Sequence, residues 1–191
     1  MTKDLDLPEL LQLKFGEDTV SKQASIDGIT TVWVPSGEIV EILHYLKSEI
    51  AKPFHLLYDI TAIDERPRKR ENGYPSDQFT VVYLIYSFDR NSFLRIKIAL
   101  KENGLSVPSI SKLWMNASWY EREVYDMFGV RFEGHPNLRR ILTHHQFKGH
   151  PLRKDYAADM QQSCDTALPI HFDVGTEPKE KADNLVPLNI G

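Results

Sequence analysis

The apolar positions of the chain change their spacing several times, and each spacing predicts a different element. Ile39, Leu43, Leu46 and Ile50 are separated by four, three and four residues, which places them on one face of a helix. FLRIKIAL (93–100) alternates instead, as a strand with one buried face does. The patterns predict a helix over 8–15, a hairpin over 21–35 that turns at Asp27-Gly28, a helix capped by Ser36 and ended by Pro53, and strands over 55–64, 79–88 and 93–100.

A further helix is predicted for SWYEREVYDMFG (118–129). Ser118 and Glu121 form the S-x-x-E pattern of a capping box, and Gly129 favours a C-terminal stop. One stripe of this helix is expected in the core, and it contains Tyr120, Val124, Met127 and Phe128.

The second stripe of the same helix places one large aromatic residue among charges. It consists of Trp119, Arg122, Glu123 and Asp126. Glu121, Glu123 and Asp126 could act as acid/base catalysts if their surroundings raised a pKa. The alternative, which we favour, is that these carboxylates pair with Arg122, Arg131, Arg139 or Arg140 in a partly buried ion network.

The order of these elements indicates a fold class. Strands joined by short turns favour a mainly antiparallel or mixed sheet with helices packed on one side, an α+β domain over 1–130. From about Arg131 the periodicity stops, and prolines interrupt the rest of the chain. A compact domain rarely contains so long a segment without elements of its own. We therefore expect 131–191 to form an extended, irregular arm that docks on partner proteins.

The predicted arm begins with a doubled motif, GHPNLRRILTHHQFKGHPLRK (134–154). Gly134-His135-Pro136 precedes Leu138-Arg139-Arg140, and Gly149-His150-Pro151 precedes Leu152-Arg153-Lys154. A residue before proline favours extended backbone, so each Gly-His-Pro predicts a turn followed by extended chain, with the imidazole bonded to backbone. Two such turns would suit two similar docking pockets.

The same motif could instead bind a metal or a phosphate. The four histidines at 135, 144, 145 and 150 match no zinc or iron spacing, and no carboxylate stands at a ligand-like offset before Asp155. The arginines could bind phosphates through their guanidinium groups. No glycine-rich loop precedes them, however, and acidic neighbours reduce the local positive potential. Ion pairs within the protein or at an interface are the favoured interpretation.

Composition narrows the class of protein further. The chain has 191 residues and a formal net charge of −4, which argues against a dedicated nucleic-acid binder. No apolar run approaches the ~18 residues of a membrane span, and the N-terminal sequence lacks the layout of a signal peptide. Cys164 is the only cysteine, so no intramolecular disulfide or cysteine-ligated cluster is expected. These features predict a cytoplasmic protein that reaches a membrane only through partners.

Residues 114 to 156 closely resemble a known family. The matching motifs are Trp119-x-Glu121-Arg122-Glu123 through Asp126 to Phe132, the segment from Gly134 to Leu142, and Gly149 through Arg153, Lys154 and Asp155 to Tyr156. The pattern resembles the 30 kDa subunit of bacterial NADH–quinone oxidoreductase (respiratory complex I). The likeness covers about residues 35 to 160. THHQF (143–147) departs from it, because relatives often have an acidic loop with tryptophan there.

The resemblance implies a non-catalytic structural subunit of the hydrophilic arm, with no site for FMN, an iron–sulfur cluster or quinone on this chain. Those cofactors belong to partner subunits of a complex that passes electrons from NADH to quinone and translocates protons. The implied partners are the large quinone-site subunit and cluster-bearing neighbours, and the implied location is the cytoplasmic side of the bacterial inner membrane. A related membrane-bound hydrogenase is the alternative. The residues expected to dock partners or to hold the motif are Trp119, Glu121, Arg122, Glu123, Asp126, Gly134, His135, Pro136, Arg139, Arg140, Gly149, His150, Pro151, Arg153, Lys154 and Asp155.

Overall fold

A computed structural model describes residues 6–67, 74–75, 77–157, 159 and 162. In chain order its elements are α1 (Leu7–Phe15), β1 (Ser21–Gln23), β2 (Thr30–Trp33), α2 (Ile39–Ser48), β3 (Leu56–Asp64), β4 (Phe79–Ser87), β5 (Ser92–Leu100), β6 (Ser106–Pro108), α3 (Ala117–Phe128) and β7 (Arg131–Glu133). The helices and strands predicted from spacing are confirmed, with shifts of a few residues at their ends.

Five strands form one sheet in the order β1-β2-β5-β4-β3. Neighbouring strands are antiparallel except β2 and β5, which run parallel. β1 and β2 form the predicted hairpin, and Gly28 has a φ of 73° in the loop between them. The positive φ is accessible to glycine without steric cost, which explains the Asp-Gly signal. The predicted α+β class with a mixed, mainly antiparallel sheet is confirmed.

The hydrophobic core lies on one face of this sheet. Tyr83 on β4 is paired with Ile60 on β3 and Ile96 on β5, and all three side chains are buried. They belong to the same apolar cluster as Leu43 from α2 and Val124 from α3, so the helices cover this face. Each fully buried aliphatic side chain contributes about 1.5–3 kcal/mol.

The two predicted N-terminal caps, at Ser36 and Ser118, are wrong. Ser36 lies in a short 3-10 helix (Ser36–Glu38) that precedes α2, and α2 has no side-chain cap from the described residues. α3 begins at Ala117, and its N-cap residue, Asn116, forms no side-chain cap either. Ser118 and Glu121, the expected capping box, bond to residues of other segments instead. Gly129 ends α3 in the left-handed conformation, as predicted.

The chain continues to contribute to the domain beyond residue 130. β6 and β7 form a second, parallel sheet in which Val107 lies opposite Phe132. Both side chains are buried in the core cluster. The predicted boundary at 130 therefore falls between two strands of one sheet. The sequence did not indicate β7, because a strand of three residues is too short to show a periodicity.

Candidate functional site

The first Gly-His-Pro turn is fastened to the N-terminal half of α3. Nδ1 of His135 accepts the Asn137 backbone N–H at 3.0 Å, so the proton of the neutral ring is on Nε2. Nε2 lies 3.2 Å from the Ser118 carbonyl oxygen and 3.0 Å from its hydroxyl oxygen. The ring has no exposed surface. As predicted, this imidazole bonds to backbone.

The second turn is fastened to the C-terminal end of the same helix. Nδ1 of His150 lies 3.0 Å from the Asp126 carbonyl oxygen, so this ring carries its proton on Nδ1. Burial lowers the pKa of His150, and the nearby Arg140 and Arg153 lower it further, so the ring stays neutral. A Cβ on Gly129 would lie 2.7 Å from the His150 ring, so the absence of a side chain there admits the histidine.

The doubled sequence therefore forms two turns that hold opposite ends of one helix. The Leu152 backbone N–H strengthens the second contact by donating to the Met127 carbonyl at 3.1 Å. Gly134 and Gly149 both have positive φ, at 79° and 89°. In both turns a histidine bonds to a backbone carbonyl of the same helix, so the repeated sequence corresponds to a repeated contact.

Asp126 forms the centre of this arrangement. Its buried carboxylate accepts bonds from Arg140 Nη1 at 2.7 Å, the Thr143 hydroxyl at 2.5 Å, and the backbone N–H groups of Ile141, Leu142 and Thr143 at 2.8–2.9 Å. Burial alone would raise the pKa of Asp126, but the bonds from Thr143 and Arg140 outweigh it and hold the pKa well below its usual range. Of the predicted ion network, the pair between Asp126 and Arg140 is confirmed.

Glu121 has a different environment from the one predicted. Its wholly buried carboxylate accepts the Ile110 N–H at 2.7 Å and the Ser109 hydroxyl at 2.6 Å, and it lies 3.9 Å from His135 Nε2. Burial raises the pKa of Glu121 to about 7, although the two hydrogen bonds oppose the rise. It forms no ion pair with an arginine of the described residues, and Glu123 is exposed. A substrate cannot reach a carboxylate without exposed surface, so acid/base catalysis at Glu121 is not favoured.

A second anchor, which the sequence analysis missed, joins the end of the second turn to β3. Arg66 lies 2.5 Å from the Asp64 carboxylate and bonds both oxygens of Asp155 at 2.9 and 3.0 Å. Asp64 also accepts the Lys154 backbone N–H at 2.8 Å. The pKa of Asp64 is lowered to about 2, chiefly by Arg66. The sequence offered one signal for this anchor: Asp64 is an acidic residue at an inward-facing position of β3, where a buried partner is expected.

The same anchor contains two arginines on one aromatic ring. The guanidinium carbons of Arg66 and Arg153 lie 4.9 and 5.0 Å from the centre of the Phe79 ring. Both arginines are also within 3.6 Å of Glu102. The Glu102 carboxylate therefore compensates the charge of Arg153. Like Arg140, this arginine of the doubled motif points inward.

The cations of the doubled motif thus divide into two classes. Arg140 and Arg153 point inward and have carboxylate partners. Arg139 and Lys154 are exposed and have no ion pair within the part of the chain that the structure describes. This division was not visible in the sequence, since Leu-Arg-Arg and Leu-Arg-Lys look alike.

Two large apolar residues of α3 and of the doubled motif are exposed. Trp119 on α3 is 63% exposed, and Arg122 lies 5.2 Å above its ring. Arg122 also donates to the carbonyl oxygens of Arg139 and Arg140 at 3.1 and 3.2 Å. Leu142, whose N–H is bound to Asp126, is 63% exposed.

The histidines do not converge on one point. His135 and His150 hold opposite ends of α3, whereas the rings of His144 and His145 contact each other at 4.1 Å. Among the described residues, no group of three or more His, Cys, Asp or Glu side chains is placed to hold a metal ion. Cys164 lies outside the described residues.

The sequence of the chain is similar to subunits of respiratory NADH dehydrogenases. Residues 32–162 match the family described as respiratory-chain NADH dehydrogenase, 30 Kd subunit. The chain is 46% identical over 174 residues to the NADH-quinone oxidoreductase C/D subunit of Methylococcus capsulatus, covering 91% of this chain and 29% of that protein. It is 49% identical over 150 residues to the protein of the same name from Acinetobacter baumannii, covering 78% of this chain and 25% of the relative. The chain thus spans less than a third of these relatives.

Solved structures with the same fold include the trypsin-resistant fragment (1-134) of Nqo5. It is 30% identical, with a TM-score of 0.53, and the match covers 62% of this chain and 89% of the fragment. A chain of the archaeal membrane-bound sulfane sulfur reductase has a TM-score of 0.60 at 23% identity, over 78% of this chain and 82% of that one, and so shares the fold. No helix in the described ranges is long and apolar enough to span a membrane.

Proposed function

The chain belongs to the family of the 30 Kd subunit of respiratory-chain NADH dehydrogenase, and on that premise we propose that it is a non-catalytic structural subunit of an NADH–quinone oxidoreductase. In this proposal, partner subunits hold the FMN and the iron–sulfur clusters that carry electrons from NADH to quinone. The chain lies in the hydrophilic arm, peripheral to the cytoplasmic side of the membrane. Proton translocation belongs to the complex as a whole.

One observation carries the proposal. Three groups of the family motif that could perform chemistry are engaged in holding the motif to its own domain. Asp126 is saturated by five hydrogen bonds, and His135 and His150 bond to backbone carbonyls of α3. A catalytic group must be free to reach a substrate, at least through one water. The motif therefore fits a rigid support better than an active site.

The large quinone-site subunit is the partner that we favour. The C/D relatives are more than three times as long as the segment that this chain matches, which is 29% of the Methylococcus capsulatus protein. Such a fusion keeps the two portions of one polypeptide close together. We infer that this chain contacts the portion that corresponds to the remainder of those relatives through its segment beyond 130, with Arg139 and Lys154 on the outer side.

The proposal is tested with the full-length chain, tagged and expressed in its own host. Detergent-solubilised membranes should yield a complex that contains the tagged chain, the large subunit and cluster-bearing subunits, and that oxidises NADH. The chain purified alone should show no NADH oxidation and no visible absorbance. A chain that oxidises NADH by itself, or that co-purifies with no respiratory subunit, would contradict the proposal.

Co-purification also distinguishes an NADH–quinone oxidoreductase from the alternative, a hydrogenase-like complex. The fold shared with the sulfane sulfur reductase chain does not distinguish the two, because at 23% identity it reports architecture alone. The family match favours the NADH-linked complex. Recovery of NADH-binding subunits supports the first assignment, and recovery of hydrogenase-type subunits without them supports the second.

A further inference from the structure

Arg122 on α3 and Arg139 in the segment that follows β7 are two adjacent cations, and neither forms an ion pair with a carboxylate of the described residues. Arg122 uses its Nε and one Nη group to donate to the carbonyl oxygens of Arg139 and Arg140. It has no carboxylate within 4 Å among the described residues. Burial and the charge of Arg139 lower the pKa of Arg122, and the charge of Asp126 only partly opposes them. Two positive charges held side by side repel each other, so an anion placed between them is stabilised.

The nearest carboxylates of the same segment do not supply that anion. Asp126, one helical turn beyond Arg122, is buried and accepts bonds from Arg140, Thr143 and three backbone N–H groups. Glu123 is exposed on the same stripe of α3, four residues after Trp119, and it reduces the local positive charge without forming an ion pair within the described residues. The cations therefore retain unused donors: a guanidinium has five N–H groups, and Arg122 uses two.

One exposed apolar side chain contacts Arg122, and a second belongs to the segment that begins with Arg139. Trp119 stacks against Arg122 and is 63% exposed, and Leu142 is exposed to the same extent. Leu142 lies near the stripe because its N–H is bound to Asp126. Tryptophan and arginine are the residue types that dominate binding energy at protein interfaces. An exposed tryptophan in contact with an arginine therefore has the composition that is enriched where a surface is covered in an assembly.

We propose that Trp119, Arg122, Arg139 and Leu142 form a docking surface for a segment of a partner subunit that presents a carboxylate beside an apolar side chain. The carboxylate binds between the two guanidinium groups, and the apolar side chain covers the indole and Leu142. A protein segment is favoured over an anionic membrane surface, because lipid recognition uses clusters of about 4–8 cations, whereas this surface has two beside Glu123. This inference rests on the proposed function and adds the chemistry of the partner.

The position is tested by photo-crosslinking in the assembled complex. Leu142 is replaced by p-benzoylphenylalanine in the full-length tagged chain, and Ile26, which is fully exposed in the loop between β1 and β2, receives the same group as the matched control. After irradiation of host membranes, position 142 should yield an adduct with one subunit of the complex, at a peptide that contains Asp or Glu. Position 26 should not yield that adduct.

The charge complementarity is tested by a charge swap. Arg139→Glu should reduce the amount of co-purified partner by about tenfold or more, since each factor of ten corresponds to about 1.4 kcal/mol. Arg131→Glu is the matched control, because Arg131 is also exposed and has no ion pair within the described ranges, and it should change recovery by less than about twofold. Replacing the carboxylate of the crosslinked peptide by arginine should restore the Arg139→Glu variant. Far-ultraviolet circular dichroism verifies that both variants are folded.

The possible outcomes separate this inference from the proposed function. A chain that co-purifies with the complex but forms no adduct at 142, forms a lipid adduct, or tolerates Arg139→Glu as well as Arg131→Glu overturns the docking surface and leaves the proposed function standing. An adduct whose acidic residue fails to rescue Arg139→Glu also overturns it. A wild-type chain that co-purifies with no respiratory protein removes the proposed function and the inference together.

Discussion

The carboxylate of Asp126 on α3 meets Thr143 through both the Thr143 hydroxyl, at 2.5 Å, and its backbone N–H, at 2.8 Å. The two residues are 17 positions apart in the sequence, and the chain between them includes the end of the helix, β7 and the first Gly-His-Pro turn. A single buried side chain thus closes this part of the chain into a loop. It explains why a segment without regular periodicity has a defined path.

The first prediction concerns this closure. Asp126→Asn keeps the size of the side chain but removes its charge, which leaves Arg140 without its buried partner and weakens the bonds from residues 141–143. Removing one partner of a buried ion pair costs on the order of 3–5 kcal/mol, and we expect the lower end because Arg140 is 16% exposed. Urea denaturation at pH 7 measures the free energy of unfolding. Glu123→Gln, at an exposed position, should change it by less than about 0.5 kcal/mol; equal losses in both variants would contradict the role of Asp126.

The second prediction compares two glycines with nearly the same backbone. Gly129 and Gly134 have φ of 81° and 79°, but a Cβ at 129 would meet the His150 ring at 2.7 Å, whereas a Cβ at 134 would meet nothing within 4 Å. Gly134→Ala should therefore cost about 1–2 kcal/mol from the left-handed conformation alone. Gly129→Ala should cost more and should also shift the His150 ring signals in NMR spectra. Similar costs with unchanged His150 signals would show that the close contact has no energetic consequence.

The third prediction is a pH dependence that originates in Glu121. The pKa of this group is about 7 in the folded protein and near 4.5 in the unfolded chain, so the folded state binds the proton more tightly. Its contribution to stability is therefore complete below about pH 4.5 and is lost as the pH rises through 7. Glu121→Gln imitates the protonated form, with Ser109 and Ile110 still within reach. It should flatten the stability curve over this pH range and raise the free energy of unfolding at pH 8 by on the order of 2–3 kcal/mol. An unchanged slope in the variant would refute the assignment.

The fourth prediction uses the division of the basic residues. Trypsin should cut the isolated chain after the exposed Arg139, Lys148 and Lys154 before it cuts after the paired Arg140 and Arg153. Mass spectrometry of early digestion products gives the order of cleavage. Arg66→Ala removes the partner of Asp155 and Asp64, so cleavage after Arg153 should become faster.

Arg95→Ala is the control for this experiment. Arg95 also forms an ion pair, with Asp27 at 2.6 Å, but this pair joins β5 to the loop between β1 and β2, away from residues 150–157 in the sequence and outside the Arg66 anchor. Cleavage after Arg153 should therefore keep its wild-type rate in Arg95→Ala. If both variants accelerate it equally, the anchor at Arg66 does not hold residues 150–157.

The predicted capping box of α3 is absent because its two side chains bond to residues that are distant in the sequence. Ser118 and Glu121 match a capping box, yet each is close to a partner from a distant segment that offers a buried bond. The Glu121 carboxylate accepts the Ile110 N–H at 2.7 Å, and an unpaired backbone N–H at that position would be costly. A pattern of four residues cannot represent a partner 11 residues away.

The sequence by itself determined the main elements of this protein, the sheet-forming strands and the family. Periodicities of 2 and 3.6 residues and turn glycines are local properties, and they reflect which face of each element is apolar. Only the tertiary structure decided which charges are satisfied. It turned Arg140 and Arg153 toward Asp126 and Glu102 and left Arg139 outside. The reason is physical: a charge is stabilised or left free by the groups that the fold brings within about 4 Å, and those groups come from distant positions along the chain.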